Sequence, residues 1–203
     1  MPEFYNNLAT EKSFQILQDI KKDFDFILIG GWAVFLYTKA LKSKDIDIIV
    51  DYETLEKLKQ KFVVVKNERL QKYEIKIQEI DIDIYLPFYS QIGLPLEDIK
   101  NDCRLLEGFL APGLETLLLF KTFVYQERRG SNKGKKDLID IFALLSQKEI
   151  NWKNYQGLLK KYRAEKINQI LKEIVSQQKA IPELGLNEQK ISKLKKAVLA
   201  NLP

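Results

Sequence analysis

Residues 30–47 read Gly30-Gly31-Trp32-Ala33-Val34-Phe35-Leu36-Tyr37-Thr38-Lys39-Ala40-Leu41-Lys42-Ser43-Lys44-Asp45-Ile46-Asp47. An apolar run, Phe26 to Ile29, leads into the paired glycine, and Ile48 to Val50 follows the second aspartate. A second Asp-Ile-Asp, with Asp81 and Asp83, lies inside another alternating segment. Residues two apart in a strand share a face, so Asp45 and Asp47 point the same way with carboxylates about 6–7 Å apart. A neighbouring strand runs about 4.8 Å away, close enough for its aspartate to complete a three-carboxylate cluster. Such a cluster repels itself unless a divalent cation neutralises it. That is the chemistry of magnesium-dependent phosphoryl or nucleotidyl transfer.

Working outward, the apolar periodicity predicts an amphipathic helix over Leu8–Ile20, with Phe14, Ile16, Leu17 and Ile20 on one side. A strand over Asp25–Ile29, a buried helix over Trp32–Leu41, a strand over Ile46–Val50, a helix over Thr54–Phe62 and a strand over Val63–Val65 follow. Tyr73, Ile75 and Ile77 alternate in one phase, and Ile80, Ile82, Ile84 and Leu86 in the other. The phase flip at Gln78-Glu79 requires a bulge or a tight turn, because a one-residue slip swaps the faces. Residues 88–112 read as mixed, punctuated by Pro95, Gly108 and Pro112. Helices are predicted over 113–129, 136–147, 151–162, 165–178 and 187–201. The expected fold is α+β: a small mixed sheet with flanking helices over residues 1–110, then a helical bundle over 111–203.

Composition narrows the chemistry. The chain has 203 residues, 45% hydrophobic and 30% charged, which is the balance of a globular protein with a substantial core. No apolar run approaches the length of a membrane span and the N-terminus has no signal-peptide core, so a cytoplasmic location and no membrane partner are expected. Histidine is absent and cysteine occurs once, as Cys103. That excludes His-dependent triads and zinc proteases, an internal disulfide and a cysteine-rich zinc site. Any metal is held by oxygen, which favours Mg²⁺ or Mn²⁺. The net charge of +5 is uneven: residues 151–203 carry a balance of +7 and residues 1–150 one of −2. A basic region beside an acidic one suits a polyanionic partner; a lysine-rich set of solvated helix faces has the same composition.

Each motif has a plain structural reading too. A paired glycine after a strand is commonly only a tight turn. It is not a P-loop, lacking Gly-Lys-Ser/Thr, and not a dinucleotide fingerprint, lacking the third glycine. Aspartate is depleted in strands, so two on one face of an apolar strand require either an open solvated face or a ligand. At Asp81 and Asp83 the same choice arises, and Glu79 belongs to their stripe.

Together, the glycine pair, the spaced Asp-x-Asp and a later strand aspartate resemble the nucleotidyltransferase superfold of the polymerase-beta type. The positions that match are Gly30 and Gly31, Asp45 and Asp47, and Asp83 or Asp81. Asp83 is favoured because Ile-Asp-Ile-Tyr-Leu-Pro looks like that superfold's third-carboxylate strand. Downstream, Lys121, Arg128, Lys136-Asp137 and Asp140 are similar to the signatures of abortive-infection toxin nucleotidyltransferases and their minimal relatives. Lys121, Tyr125 and Arg128 share a helix face by spacing, as do Asp137 and Asp140. Salt bridges between two helices give the same pattern.

The resemblance implies a metal-dependent enzyme that moves a nucleoside monophosphate from an NTP, such as ATP, to a hydroxyl acceptor. Asp45, Asp47 and Asp83 (with Asp81 as the other candidate) would ligate Mg²⁺ or Mn²⁺, two ions bridged by Asp45 and Asp47. Gly30, Gly31, Ser43, Lys121 and Arg128 would bind nucleotide, supported by Lys136, Asp137 and Asp140. Implied partners are the nucleoside triphosphate, an RNA or tRNA 3′ end or a protein as acceptor, and a cognate antitoxin in a toxin–antitoxin pair. The competing expectation is a catalytically silent nucleotidyltransferase-fold module that binds RNA or acts as an antitoxin. A metal-dependent nuclease or phosphohydrolase would also use clustered aspartates. Residues 150–203 match nothing nameable.

Overall fold

The computed structural model describes residues 7–203. Two compact units are present: one holds the described residues up to Gln91 together with Pro95–Gly113, the other Ile92–Leu94 and Leu114–Pro203.

The first unit is built on a seven-stranded mixed sheet in the order β3-β4-β5-β2-β1-β7-β6. Its strands are β1 (Ile27–Ile29), β2 (Ile46–Ile49), β3 (Val64–Asn67), β4 (Lys72–Ile77), β5 (Ile80–Tyr85), β6 (Cys103–Leu106) and β7 (Phe109–Pro112). Its helices are α1 (Asn7–Asp23), α2 (Gly30–Thr38) and α3 (Tyr52–Lys61). The two alternation phases of the sequence become two antiparallel strands, β4 and β5, paired Ile77↔Ile80 across the turn at Gln78-Glu79. Gln78 takes φ +56° there, so the flip is a tight turn rather than a bulge.

Period-2 alternation then sorts the sheet into two faces. Leu28, Ile46, Ile48, Ile80, Ile82 and Ile84 are buried on one of them, where α1 packs against β5 and α2 against β1 and β2. At about 25 cal/mol per Å² of apolar surface removed from water, each of these side chains contributes roughly 1.5–3 kcal/mol. Asp47, Asp83 and Glu74 alternate with them and so fall on the other face. Trp32 is also core: it is 1% exposed and its indole N–H donates to Ser13 Oγ at 2.9 Å. Asp51 starts α3 by accepting from the Thr54 N–H at 2.7 Å.

The segment read as mixed contains the hairpin β6–β7. Its two-residue turn is Glu107-Gly108, both left-handed (φ +48° and +84°). β7 then pairs in parallel with β1, extending the sheet past its glycine-bearing strand. These four-residue strands have too little alternation to be read from periodicity, since Leu105 is 73% exposed.

The second unit is helical: α4 (Leu114–Arg128), α5 (Asn132–Leu145), α6 (Trp152–Tyr162), α7 (Glu165–Gln177) and α8 (Glu188–Leu199). α4 is the hub, buried over nearly three turns and packed against α5, α6 and α7. Side-chain caps at Ser131, Asn151 and Asn187 fix three of the helix starts. The Ser131 cap begins α5 four residues before the predicted start, across a polar stretch with no apolar period. Buried Glu115 accepts from the Asn151 N–H at 2.6 Å and from Asn154 Nδ2 at 3.1 Å, tying α4 to the start of α6. No helix among the described residues is long and apolar enough to cross a membrane.

Candidate active site

The register of four strands aligns Ile29, Asp47, Asp83 and Glu74 in one row across the sheet. β2 and β5 run parallel with Asp47 directly beside Asp83, so both carboxylates lie on the same face. Asp45 lies in the bend just before β2, and Ser43 is buried in the same approach segment. Asp81 shares the face of Asp83 but lies one pleat away, where it is exposed and 3.7 Å from Lys76 Nζ. Asp83 is the aspartate of that pair brought against Asp47.

Gly30 sits at the end of β1, where α2 begins. Its φ is +67°, and a Cβ built there would lie 2.1 Å from Asp47 Oδ2 and 2.6 Å from Asp47 Cγ. The Asp47 carboxylate therefore lies over bare backbone at the start of a helix. That helix start carries no side-chain cap and no acidic residue in its first turn, leaving backbone N–H groups without helical partners. Glycine is required on both counts, backbone conformation and space. Gly30→Ala is expected to destabilise by about 1–2 kcal/mol from the left-handed backbone alone, with more from displacing Asp47. Thermal unfolding checks this; an unchanged midpoint would mean the contact relaxes freely.

Three residues absent from the sequence reading complete the row. Lys72 Nζ lies 2.6 Å from Asp83 Oδ2 and 3.0 Å from Glu74 Oε1, with only 10% of its side chain exposed. Tyr85 donates its hydroxyl to Asp47 Oδ1 at 3.4 Å, a long contact. Burial, followed by the charge of Asp47, pushes the Asp83 carboxyl up to about 6, although Lys72 pulls it down. Burial opposes the charge on Lys72, but Asp83 and Glu74 outweigh it and its pKa is raised. One signal for Glu74 and Lys72 was in the sequence: they alternate with Tyr73 and Ile75, hence share a face. Only pairing across the hairpin shows that this face is that of Asp83.

An Asp83 pKa raised from 3.8 means that the folded chain holds this proton where the unfolded chain has lost it. Between pH about 4 and 6 the native state thus binds more protons, and this group lowers stability as pH rises through that window. Carboxyl-detected NMR titration of the metal-free protein should give Asp83 a midpoint near 6; a midpoint near 4 would contradict the crowding by burial and Asp47.

In the helical unit Lys121, Lys136, Asp137 and Asp140 form a buried ionic cluster between α4 and α5. Lys121 Nζ lies 2.8 Å from Asp137 Oδ1 and 2.7 Å from Asp140 Oδ2, and Lys136 Nζ 3.2 Å from the latter. The two aspartates raise the Lys121 pKa against its own burial. Arg128 Nη1 reaches to 3.6 Å from Asp137 Oδ2 and keeps 40% of its side chain exposed. Asp137 Oδ2 and Asp140 Oδ1 are buried without a hydrogen-bond donor.

A cavity of about 530 Å³ in the sheet unit is lined by Ile27, Ile49, Val50, Pro87 and Phe109, among others. These residues mark the ends of the strands away from Gly30 and Asp47, and none of the predicted site residues lines it.

Among the described residues no three acidic or cysteine side chains stand together as a finished metal cage. The donor chemistry nevertheless fits a hard divalent cation. The Asp47 carboxylate raises the cost of ionising Asp83 beside it, a third stands two residues upstream of Asp47, and all offer oxygen.

No family model matches the chain, and no curated protein matches it in sequence. Solved structures do. The antibiotic-resistance factor ANT(2'')-Ia, in its solution structure, is 14% identical with a TM-score of 0.56, over 80% of this chain and 95% of that one. JHP933 from Helicobacter pylori is 16% identical with a TM-score of 0.53, over 97% and 92%. An antigenic nucleotidyltransferase-like protein from Paracoccidioides brasiliensis is 16% identical with a TM-score of 0.51, over 93% and 92%. The sheet order, the glycine-started helix and the likeness over nearly the whole length agree: this chain has the nucleotidyltransferase fold.

Proposed function

We propose that the protein is a nucleotidyltransferase that moves a nucleoside monophosphate from an NTP to a hydroxyl acceptor and releases pyrophosphate. The observation that carries this is Asp47 beside Asp83 on parallel strands, with the uncapped start of α2 against Asp47. Asp45, Asp47 and Asp83 would hold Mg²⁺ or Mn²⁺. When bound, such a cation polarises phosphoryl oxygens and acidifies a ligated hydroxyl.

The chain's own groups do the rest. The backbone N–H groups of Gly30 and Gly31 receive phosphate oxygens at the helix start, where the helix dipole favours negative charge. Ser43, buried in the segment leading into β2, is proposed as a side-chain helper to the phosphates. Asp83, a carboxylate whose pKa burial and Asp47 raise when no cation is bound, is the group proposed to take the acceptor proton. Arg128 stays partly exposed beside Asp137 within the helical unit. Lys121 is committed to Asp137 and Asp140, so its proposed part is to hold α4 against α5 in a defined register.

For the acceptor we favour a polyanion such as an RNA 3′ end, because residues 151–203 carry the basic balance of +7. ANT(2'')-Ia has been solved with adenylyl-2''-tobramycin, so a small-molecule hydroxyl is the alternative outcome of the test. The test is incubation with each α-labelled NTP, Mg²⁺, and either total tRNA or cell lysate, followed by sizing of the labelled products. Covalent label on RNA supports the reading in full, and label on a protein or small molecule replaces only the acceptor. Loss of pre-labelled nucleic acid with no transfer would make the site a nuclease, and no labelling at all would favour the silent binding module.

A further inference from the structure

We infer that Lys72 is the resident cation of the Asp83 position, so that the site takes one divalent ion, at Asp45 and Asp47, rather than two. This rests on the transferase reading of the same carboxylates and narrows its ligand set, with Asp83 answered by Lys72 instead of by a divalent ion.

The geometry is built by the β4–β5 hairpin. Glu74 is the register partner of Asp83, and Lys72, two residues earlier on β4, projects from the same face. Its ammonium reaches Asp83 Oδ2 at 2.6 Å and Glu74 Oε1 at 3.0 Å. A divalent cation ligated by Asp83 would take a carboxylate oxygen at about 2.0–2.6 Å, either Oδ2 beside the ammonium or Oδ1 across the same carboxyl. Either place sets the ion's double charge close to a fixed ammonium, and that like-charge repulsion opposes a second ion at Asp83. At Oδ2 such an ion would leave Lys72, 8% exposed, with Glu74 as its one remaining carboxylate. Breaking one partner from a buried ion pair is the costly direction.

The same hairpin supplies a contrast. Lys76 and Asp81, one pleat further along, are the same residue types on the same face, yet stand 3.7 Å apart with side chains 67% and 55% exposed. That pair is an ordinary surface ion pair of little consequence. The Lys72 pair is short, buried and forked between two carboxylates. An ammonium fixed there, with two of its three N–H groups on Asp83 and Glu74, offers its third donor and a positive charge to an acceptor oxygen. These are the orienting and charge-offsetting parts of what a second ion would supply. Asp45 and Asp47 stand clear of it, because Lys72 makes no ion pair with either.

The test counts protein-bound Mn²⁺ by electron paramagnetic resonance at saturating α,β-methylene-ATP. Wild type should bind one Mn²⁺ per chain with no spin-coupled pair. Lys72→Met should bind two, with the dipolar broadening of neighbouring ions, while Lys72→Arg should stay at one. Two coupled ions in the wild type would overturn the inference and leave the transferase reading standing. One ion in both wild type and Lys72→Met would overturn it as well, since Lys72 would not be what excludes the second. No bound Mn²⁺ beyond that of Asp47→Asn would overturn both readings together. Should Lys72→Met fail to fold, the wild-type count alone decides between one ion and two, and Lys72→Gln takes its place as the second variant.

Discussion

Asp47→Ala is expected to reduce NTP-dependent labelling by at least about 10²–10³-fold, the loss typical when one charge-stabilising group is removed from a phosphoryl or acyl transfer site. The fold should survive. Asp47 caps no helix and forms no salt bridge; its hydrogen bond from Tyr85 is long, at 3.4 Å. Its strand is held by the buried Ile46, Ile48 and Ile49, and the alanine leaves those contacts intact. Removing it also removes a repulsive neighbour of Asp83, whose pKa should then fall towards the ordinary carboxylate range. Labelling with α-labelled NTP and a thermal melt on the same preparation separate chemistry from folding. Wild-type labelling would take Asp47 out of the mechanism. Lost labelling with an equally lost melt would show instead that the residue is structural.

Lys121→Met is expected to lower stability by about 3–5 kcal/mol, the cost of leaving buried charges without their partner. The substitution keeps the length of the stem and deletes the charge that Asp137 and Asp140 share. Lys136 still reaches Asp140, but Asp137 keeps only Arg128 at 3.6 Å, and two carboxylate oxygens already lack donors. For a chain of this size that loss corresponds to a drop of roughly 6–20 °C in the unfolding midpoint. Adding Asp137→Asn should recover part of it, because the stranded charge is then gone. A midpoint within a degree of wild type would mean that the cluster is solvated well enough for neither aspartate to need the lysine.

Most of the architecture follows from local rules. The period-2 runs around Ile46–Ile48 and Ile80–Ile84 are strands because every other residue must be apolar to cover the core. The helices after Gly113 follow from 3.6-residue periodicity and from side chains that cap them. Where local rules ran short, the segments were short too. β6 and β7 are four residues each, and they hold their place by pairing with β1 and with each other. Such pairing is long-range, so no window of sequence contains it. α5 starts early for the opposite reason: a single hydroxyl at Ser131 outweighs a polar stretch with no apolar pattern.

At the site the division is sharper. Asp45, Asp47, Asp81 and Asp83 could be named from their spacing alone, as could the glycine pair, because two-residue periodicity and depletion of aspartate in strands are properties of the chain itself. Which aspartate meets Asp47 was not in that pattern. Asp81 and Asp83 share a face, and only the parallel register of β2 with β5 sets Asp83 at the right height. Lys72 and Glu74 entered the row the same way, through the antiparallel register of β4 with β5. Alternation along one strand therefore determined which side chains share the face opposite Ile46, Ile48 and Ile82. Hydrogen-bonded registry between strands distant in sequence decided which charges became neighbours, and so where a carboxyl is pushed up and a lysine is held.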